Sequence, residues 1–164
     1  MNLSASAITA ESVYVGPTPD REARSVAEIE ARGNVVVRSD DRTLQLDLDS
    51  PEDLQKACKL IHQLHRNIFF EKITRTISKS GNSHIYIELA KPMERIERIA
   101  WQACLGSDRV REALNLLWVL SGYEEECFLE ELPGAKHEDI TDHLIVFGNL
   151  DFKSLSDPRD GGLF

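Results

Sequence analysis

Residues 44 to 53, Leu44-Gln45-Leu46-Asp47-Leu48-Asp49-Ser50-Pro51-Glu52-Asp53, decide how this chain reads. Leucine alternating with a polar residue has the period of two of a half-buried strand, which puts the leucines on one face and Gln45, Asp47 and Asp49 on the other. The next four residues supply a capping serine, a proline for the first turn and two acids for the positive end of a helix dipole, so a helix is predicted to begin at once. Leu54, Cys58, Ile61, Leu64 and His65 keep helical spacing along one side of it.

Upstream, Val35, Val36 and Val37 form a β-branched run, and the polar segment Ser39 to Arg42 joins them to Leu44. Two short strands linked by a tight turn are expected there. Before them, Thr18-Pro19-Asp20-Arg21 opens a charged helix to about Arg32, which Gly33 stops, and residues 1 to 17 read as an arm. Downstream, Ile68 to Ile77 and Ser83 to Leu89 form a second hairpin about the break at residues 78 to 82. Two helices follow, one opened by Pro92 and one capped by Ser107-Asp108, with Trp101 and Trp118 read as core or as a contact surface between protomers. Cys127 to Leu129 and Leu144 to Phe147 are expected as final strands, and Ser154 to Phe164, with Pro158, Gly161 and Gly162, as a mobile tail. The order predicts an α+β fold: a mostly antiparallel sheet with helices packed on one face. Residues 1–33 form an arm and charged helix, 34–150 a single core, and 151–164 the tail.

The chain's 164 residues suit one such core without disulfides or structural metal. Cys58, Cys104 and Cys127 are too widely spaced for a zinc ribbon or secreted scaffold, which points to a reducing cytoplasm. No run approaches the roughly 18 apolar residues of a membrane span, and the N-terminus lacks the basic start of a signal peptide. With 28 acidic and 19 basic residues the net charge is -9, the opposite of the usual nucleic-acid footprint. Nucleic acid would therefore be met by a local patch, by metal ions screening carboxylates, or through a partner.

Asp47 and Asp49, at i and i+2 of a strand, leave one face about 7 Å apart. Such a pair can grip a hard divalent ion that keeps open positions for phosphate; it is also what the solvent face of a strand displays. Lys79, Ser80, Gly81, Asn82 and Ser83 form a glycine-bearing turn rich in small donors, with His84 at the start of the next strand. Such a turn can hold an anion on its amides and hydroxyls, and it is equally what a plain hairpin requires. Cys58, His62 and His65 share one helix at spacings that a metal site could use, although core packing explains them better. Arg75 and Lys79, on the side of the turn bearing His84, are the basic residues placed to touch nucleic acid.

Taken in order, a strand ending in Asp47-Leu48-Asp49, a capped helix, a strand, and a turn through Asn82-Ser83-His84 into Ile85-Tyr86-Ile87 resemble the catalytic core of the archaeo-eukaryotic primase and primase-polymerase superfamily. The resemblance runs from Leu44 to Leu89. It implies a fold related to the RNA-recognition motif (RRM-like), with Asp47 and Asp49 as ligands for magnesium or manganese. It further implies Asn82, Ser83 and His84, helped by Lys79, Ser80 and Gly81, as the holders of a nucleoside triphosphate. A third family acid is assigned to Asp142, with Asp139 and Asp151 as alternatives. The implied activity is metal-dependent nucleotidyl transfer in DNA replication, on nucleoside triphosphate and nucleic acid. The competing expectation is a catalytically inactive member, of phage or other mobile-element origin, that works as an acidic protein-binding accessory or inhibitor; the ~40 residues before the core, too few for a normal domain, favour it.

Overall fold

The computed structural model describes residues 19–78, 81–123 and 128–147. The N-terminal arm, Lys79, Ser80, Cys127, Asp151 and the tail lie outside them. In chain order the elements are α1 (Pro19–Ala31), β1 (Val35–Val37), β2 (Thr43–Leu48), α2 (Pro51–Leu64), β3 (Phe70–Ile77), β4 (Ser83–Leu89), α3 (Arg95–Cys104), α4 (Arg109–Leu120), β5 (Leu129–Glu131) and β6 (Glu138–Asp139), closed by a wide helical turn over His143–Phe147. No helix among the described residues is long and apolar enough to cross a membrane.

The fold is α+β. Its main sheet has the order β2-β4-β3-β6 with every pairing antiparallel, so β2 and β3 run the same way, α2 crosses between them, and β4 is inserted in the gap. Helix α2 starts where its sequence demands: the Ser50 hydroxyl accepts from the Asp53 amide at 3.1 Å, and Pro51 stands in the first turn. Leu54, Ala57, Cys58 and Ile61 then face Leu44, Leu46 and Leu48 of β2, Ile73 of β3 and Ile85 and Ile87 of β4 in one buried cluster. Burial pushes the Cys58 thiol up to about 12, as expected of a packed and unreactive side chain. His62 donates from Nδ1 to the Leu144 carbonyl at 2.9 Å, and His65 Nδ1 lies on the His62 carbonyl, so these histidines tie backbone rather than gather a metal. Trp101 packs on the same core and Trp118 is buried.

Helix α2 and Trp101 of α3 pack on the leucine side, and Arg111 of α4 reaches the outer edge of β2, donating to the carbonyl and to the side-chain oxygen of Gln45. That edge, where another strand could pair, is closed by side chains. Gln102 Oε1 accepts from the Gln45 amide at 2.9 Å, Ser107 Oγ from the Asp47 amide at 3.1 Å, and Arg111 donates to the Gln45 carbonyl at 3.0 Å. The Asp108 amide completes the series on the Asp47 carbonyl at 2.9 Å. Behind this row Glu112, buried, accepts from Arg111 at 2.6 Å and from Gln102, Ser107 and Asn115.

Two local expectations are corrected. β1 does not pair with β2; it pairs with β5, Val35 opposite Glu131 and Val37 opposite Leu129, because β2 has β4 on one edge and the α3–α4 side chains on the other. Residues 144–147 are not a strand. Asp139 Oδ1 accepts from both the amide and the hydroxyl of Thr141, and the Leu144 amide bonds the Ile140 carbonyl, so this capped segment coils.

Replacing Glu112 with alanine removes the buried carboxylate that accepts from Arg111, Gln102, Ser107 and Asn115 together, and is expected to cost about 3–5 kcal/mol of unfolding free energy in urea titrations. Ser50→Ala, which removes one helix cap, should cost about 1 kcal/mol.

Candidate functional site

The polar face of the main sheet carries Gln45 and Asp47 of β2, His84 and Tyr86 of β4, and Thr74 and Thr76 of β3. Register places Asp47 directly opposite His84, and His84 opposite Thr76. Alternation dictates this face, since Ile85 and Ile87 on the same strand must meet the leucines. Across it lies the β1–β5 ribbon, which brings in Glu131, a residue the sequence reading did not select.

His84 is buried at 5% exposure, with Nε2 3.6 Å from Asp47 Oδ1 and Nδ1 3.8 Å from Glu131 Oε1. The imidazole thus stands between two carboxylates. Glu131 Oε1 also accepts from the Thr76 hydroxyl at 2.7 Å and the Tyr86 hydroxyl at 2.5 Å, while His137 Nε2 lies 3.2 Å from Oε2. Burial by itself would raise the Glu131 carboxyl, but His84, Tyr86, Thr76 and His137 together hold it at about 2. Burial and the carboxylate next to it push the Tyr86 hydroxyl above its usual range.

Asp47 behaves in the opposite sense. Burial raises its pKa, with Asp49 and Asp108 adding to the rise, and the opposing pull of His84 and Arg111 does not cancel it. Asp49, exposed just beyond the strand, accepts from Asn82 Nδ2 at 2.8 Å, which fastens the end of β2 to the β3–β4 turn. That turn depends on Gly81 at φ +89°, a conformation other residues rarely adopt; its amide bonds the Ser78 carbonyl at 3.0 Å. Beside it opens a cleft of about 410 Å³ lined by Asn34, Ser78, Asn82, His84, Glu130 and Glu131.

The structure therefore brings together Asp47, Asp49, Asn82 and His84. It separates Arg75, Ser83 and Asp142 from them. Arg75 alternates with Thr74 and Thr76, so its guanidinium lies on the α2 side, where Nε and Nη2 donate to Ser83 Oγ at 3.2 and 3.1 Å; neither Arg75 nor Ser83 shares a face with His84. Asp142 is exposed just after β6, the strand three spacings, about 14 Å, from β2 and Asp47 in the sheet order. Among the described residues no group of three or more His, Cys, Asp or Glu side chains is arranged to hold a metal ion. A cation at this corner would have the Asp47 and Asp49 carboxylates as its ligands, where burial, with Asp49 and Asp108 adding, already disfavours the Asp47 anion; Asp142 does not join them.

These pKa directions have opposite signs in a stability profile. A carboxyl held low in the folded state stabilises above its unfolded value and loses that contribution as pH falls, so the Glu131 part should vanish between about pH 4.5 and pH 2. Glu131→Gln should flatten the acid limb of the unfolding midpoint over that window. The raised Asp47 carboxyl instead costs stability once it ionises, so Asp47→Asn should raise the thermal midpoint at neutral pH. Set beside protein-family models, curated proteins and solved structures, the chain matches none of them.

Proposed function

We propose that this is a primase-polymerase-like domain that binds a nucleoside triphosphate with magnesium or manganese at the Asp47–His84 corner and supports nucleotidyl transfer to a nucleic acid. The observation that carries the reading is the cross-strand pairing of Asp47 with His84, the two motif positions on which the family resemblance rests, on adjacent strands and 3.6 Å apart at their side chains. The inserted order β2-β4-β3 with α2 as crossover agrees with an RRM-like core, and a reduced, cytoplasmic setting suits the unpaired Cys58 and Cys104.

Charge supports the same assignment. The cleft beside His84 is walled by Glu130 and Glu131, so a triphosphate would be repelled unless it arrived with a cation. Asp47 and Asp49 would hold that cation. A divalent ion there would supply neutralisation of phosphate charge and activation of the attacking hydroxyl. Asn82, at the turn that Gly81 makes, would orient the phosphates, and His84, locked in the sheet, would present a fixed ring to them. The acidic lining also favours a second reading, in which an inactive member binds a basic surface of a partner protein, as an accessory or inhibitor of phage or mobile-element origin.

Calorimetry of the full chain with ATP and manganese separates the two. The nucleotide reading expects saturable binding that needs the metal and falls by at least about tenfold in Asp47→Ala and His84→Ala. Absence of binding in the folded wild type, or equal binding in Asp47→Ala, overturns it.

A further inference from the structure

Glu131 is the buried carboxylate at this site that the nucleotide reading leaves without a task. Its position is set independently of His84. Oε1 takes the Thr76 and Tyr86 hydroxyls and Oε2 faces His137, so the carboxylate is clamped from three sides before the His84 ring is considered. His84 Nδ1 is fully buried and has no hydrogen-bond partner at the distances the structure shows. The acceptor facing it is Glu131 Oε1 at 3.8 Å. That gap is narrower than the roughly 4.5 Å that a water bridging two groups at a tetrahedral angle spans, and a shift of under about 1 Å would close it into a direct bond. The other edge of the ring, Nε2, points at Asp47.

We propose that Glu131 is a positioning residue for His84: by accepting from Nδ1–H it fixes the rotation of the imidazole, so that Nε2 is presented to whatever binds at Asp47. A carboxylate behind a functional histidine is a general device for choosing which ring nitrogen faces the ligand. The role in catalysis or binding rests on the nucleotide reading above; the contact between Glu131 and the ring does not.

The competing role is structural, because Glu131 also pins the β1–β5 ribbon to the sheet. Two variants separate them. Glu131→Gln keeps the shape and weakens the acceptor at Nδ1; Tyr86→Phe deletes a different hydrogen bond to the same carboxylate and leaves the ring's partner in place. Proton and nitrogen NMR of the histidine side chains, on full-length protein without nucleotide or metal, should show a downfield, slowly exchanging Nδ1–H for His84 in the wild type. In Glu131→Gln this signal should move upfield and exchange at least about tenfold faster, and in Tyr86→Phe it should stay. Manganese–ATP affinity should fall about tenfold or more in the first variant and less than about twofold in the second.

A wild-type His84 without a proton on Nδ1 overturns the proposal, and that measurement needs no variant to fold. A ring signal unchanged in Glu131→Gln, or lost equally in both variants, overturns it as well. If the ring responds as expected while the wild type binds no nucleotide, the positioning stands and the nucleotide reading falls.

Discussion

The architecture depends on how β2 is completed. A strand buried on its leucine face and paired on one edge still has a row of amides and carbonyls on the other edge, and burying these without partners would cost more than the strand contributes. Here the partners are side chains: Gln102, Ser107 and Arg111, with Glu112 behind them as the shared anion. This arrangement fixes the distance and direction of α3 and α4 relative to the sheet. It also holds Asp47 still, since the amide and carbonyl of that residue are both bound. The site's acid is thus immobilised by the same network that closes the sheet.

Much of this was legible in residues 44–53 and 83–89. Period-two alternation settled which side chains share a face, and a serine-proline-acid start located α2 to the residue, because both are local properties of the chain. The pairing of β1 was not legible, since three valines say that a strand forms but not which partner has a free edge. Nor was the role of Gln102, Arg111 and Glu112: a glutamine and two adjacent opposite charges on helices look like solvated surface until the strand they serve is known. Glu131 escaped for a related reason. Its strand is only three residues long, and the signal that it faces inward is non-local, arising from Thr76, Tyr86 and His84 on two other strands.

The candidate site inherits its chemistry from that geometry. Asp47 is disfavoured as an anion and Glu131 is strongly favoured as one, although both flank the same imidazole. The difference lies in what offsets burial: Glu131 has two hydroxyls and a second histidine, whereas for Asp47 the pull of His84 and Arg111 does not outweigh burial and two acidic neighbours. A face on which one carboxylate is held as an anion and the other resists ionisation has a direction, and a positive charge arriving at the second would relieve the cost of its ionisation.

The way β2 is finished also makes the sheet asymmetric toward other chains. An edge already saturated by glutamine, serine and arginine offers nothing to an incoming strand, so neither domain exchange nor fibril-like stacking can start from that side. At the opposite margin β6 and the two residues after it cover only Ile73, Thr74 and Arg75 among the described residues. Growth of this sheet by a foreign strand, whether as recognition or as aggregation, is therefore confined to the β3 side, away from Asp47.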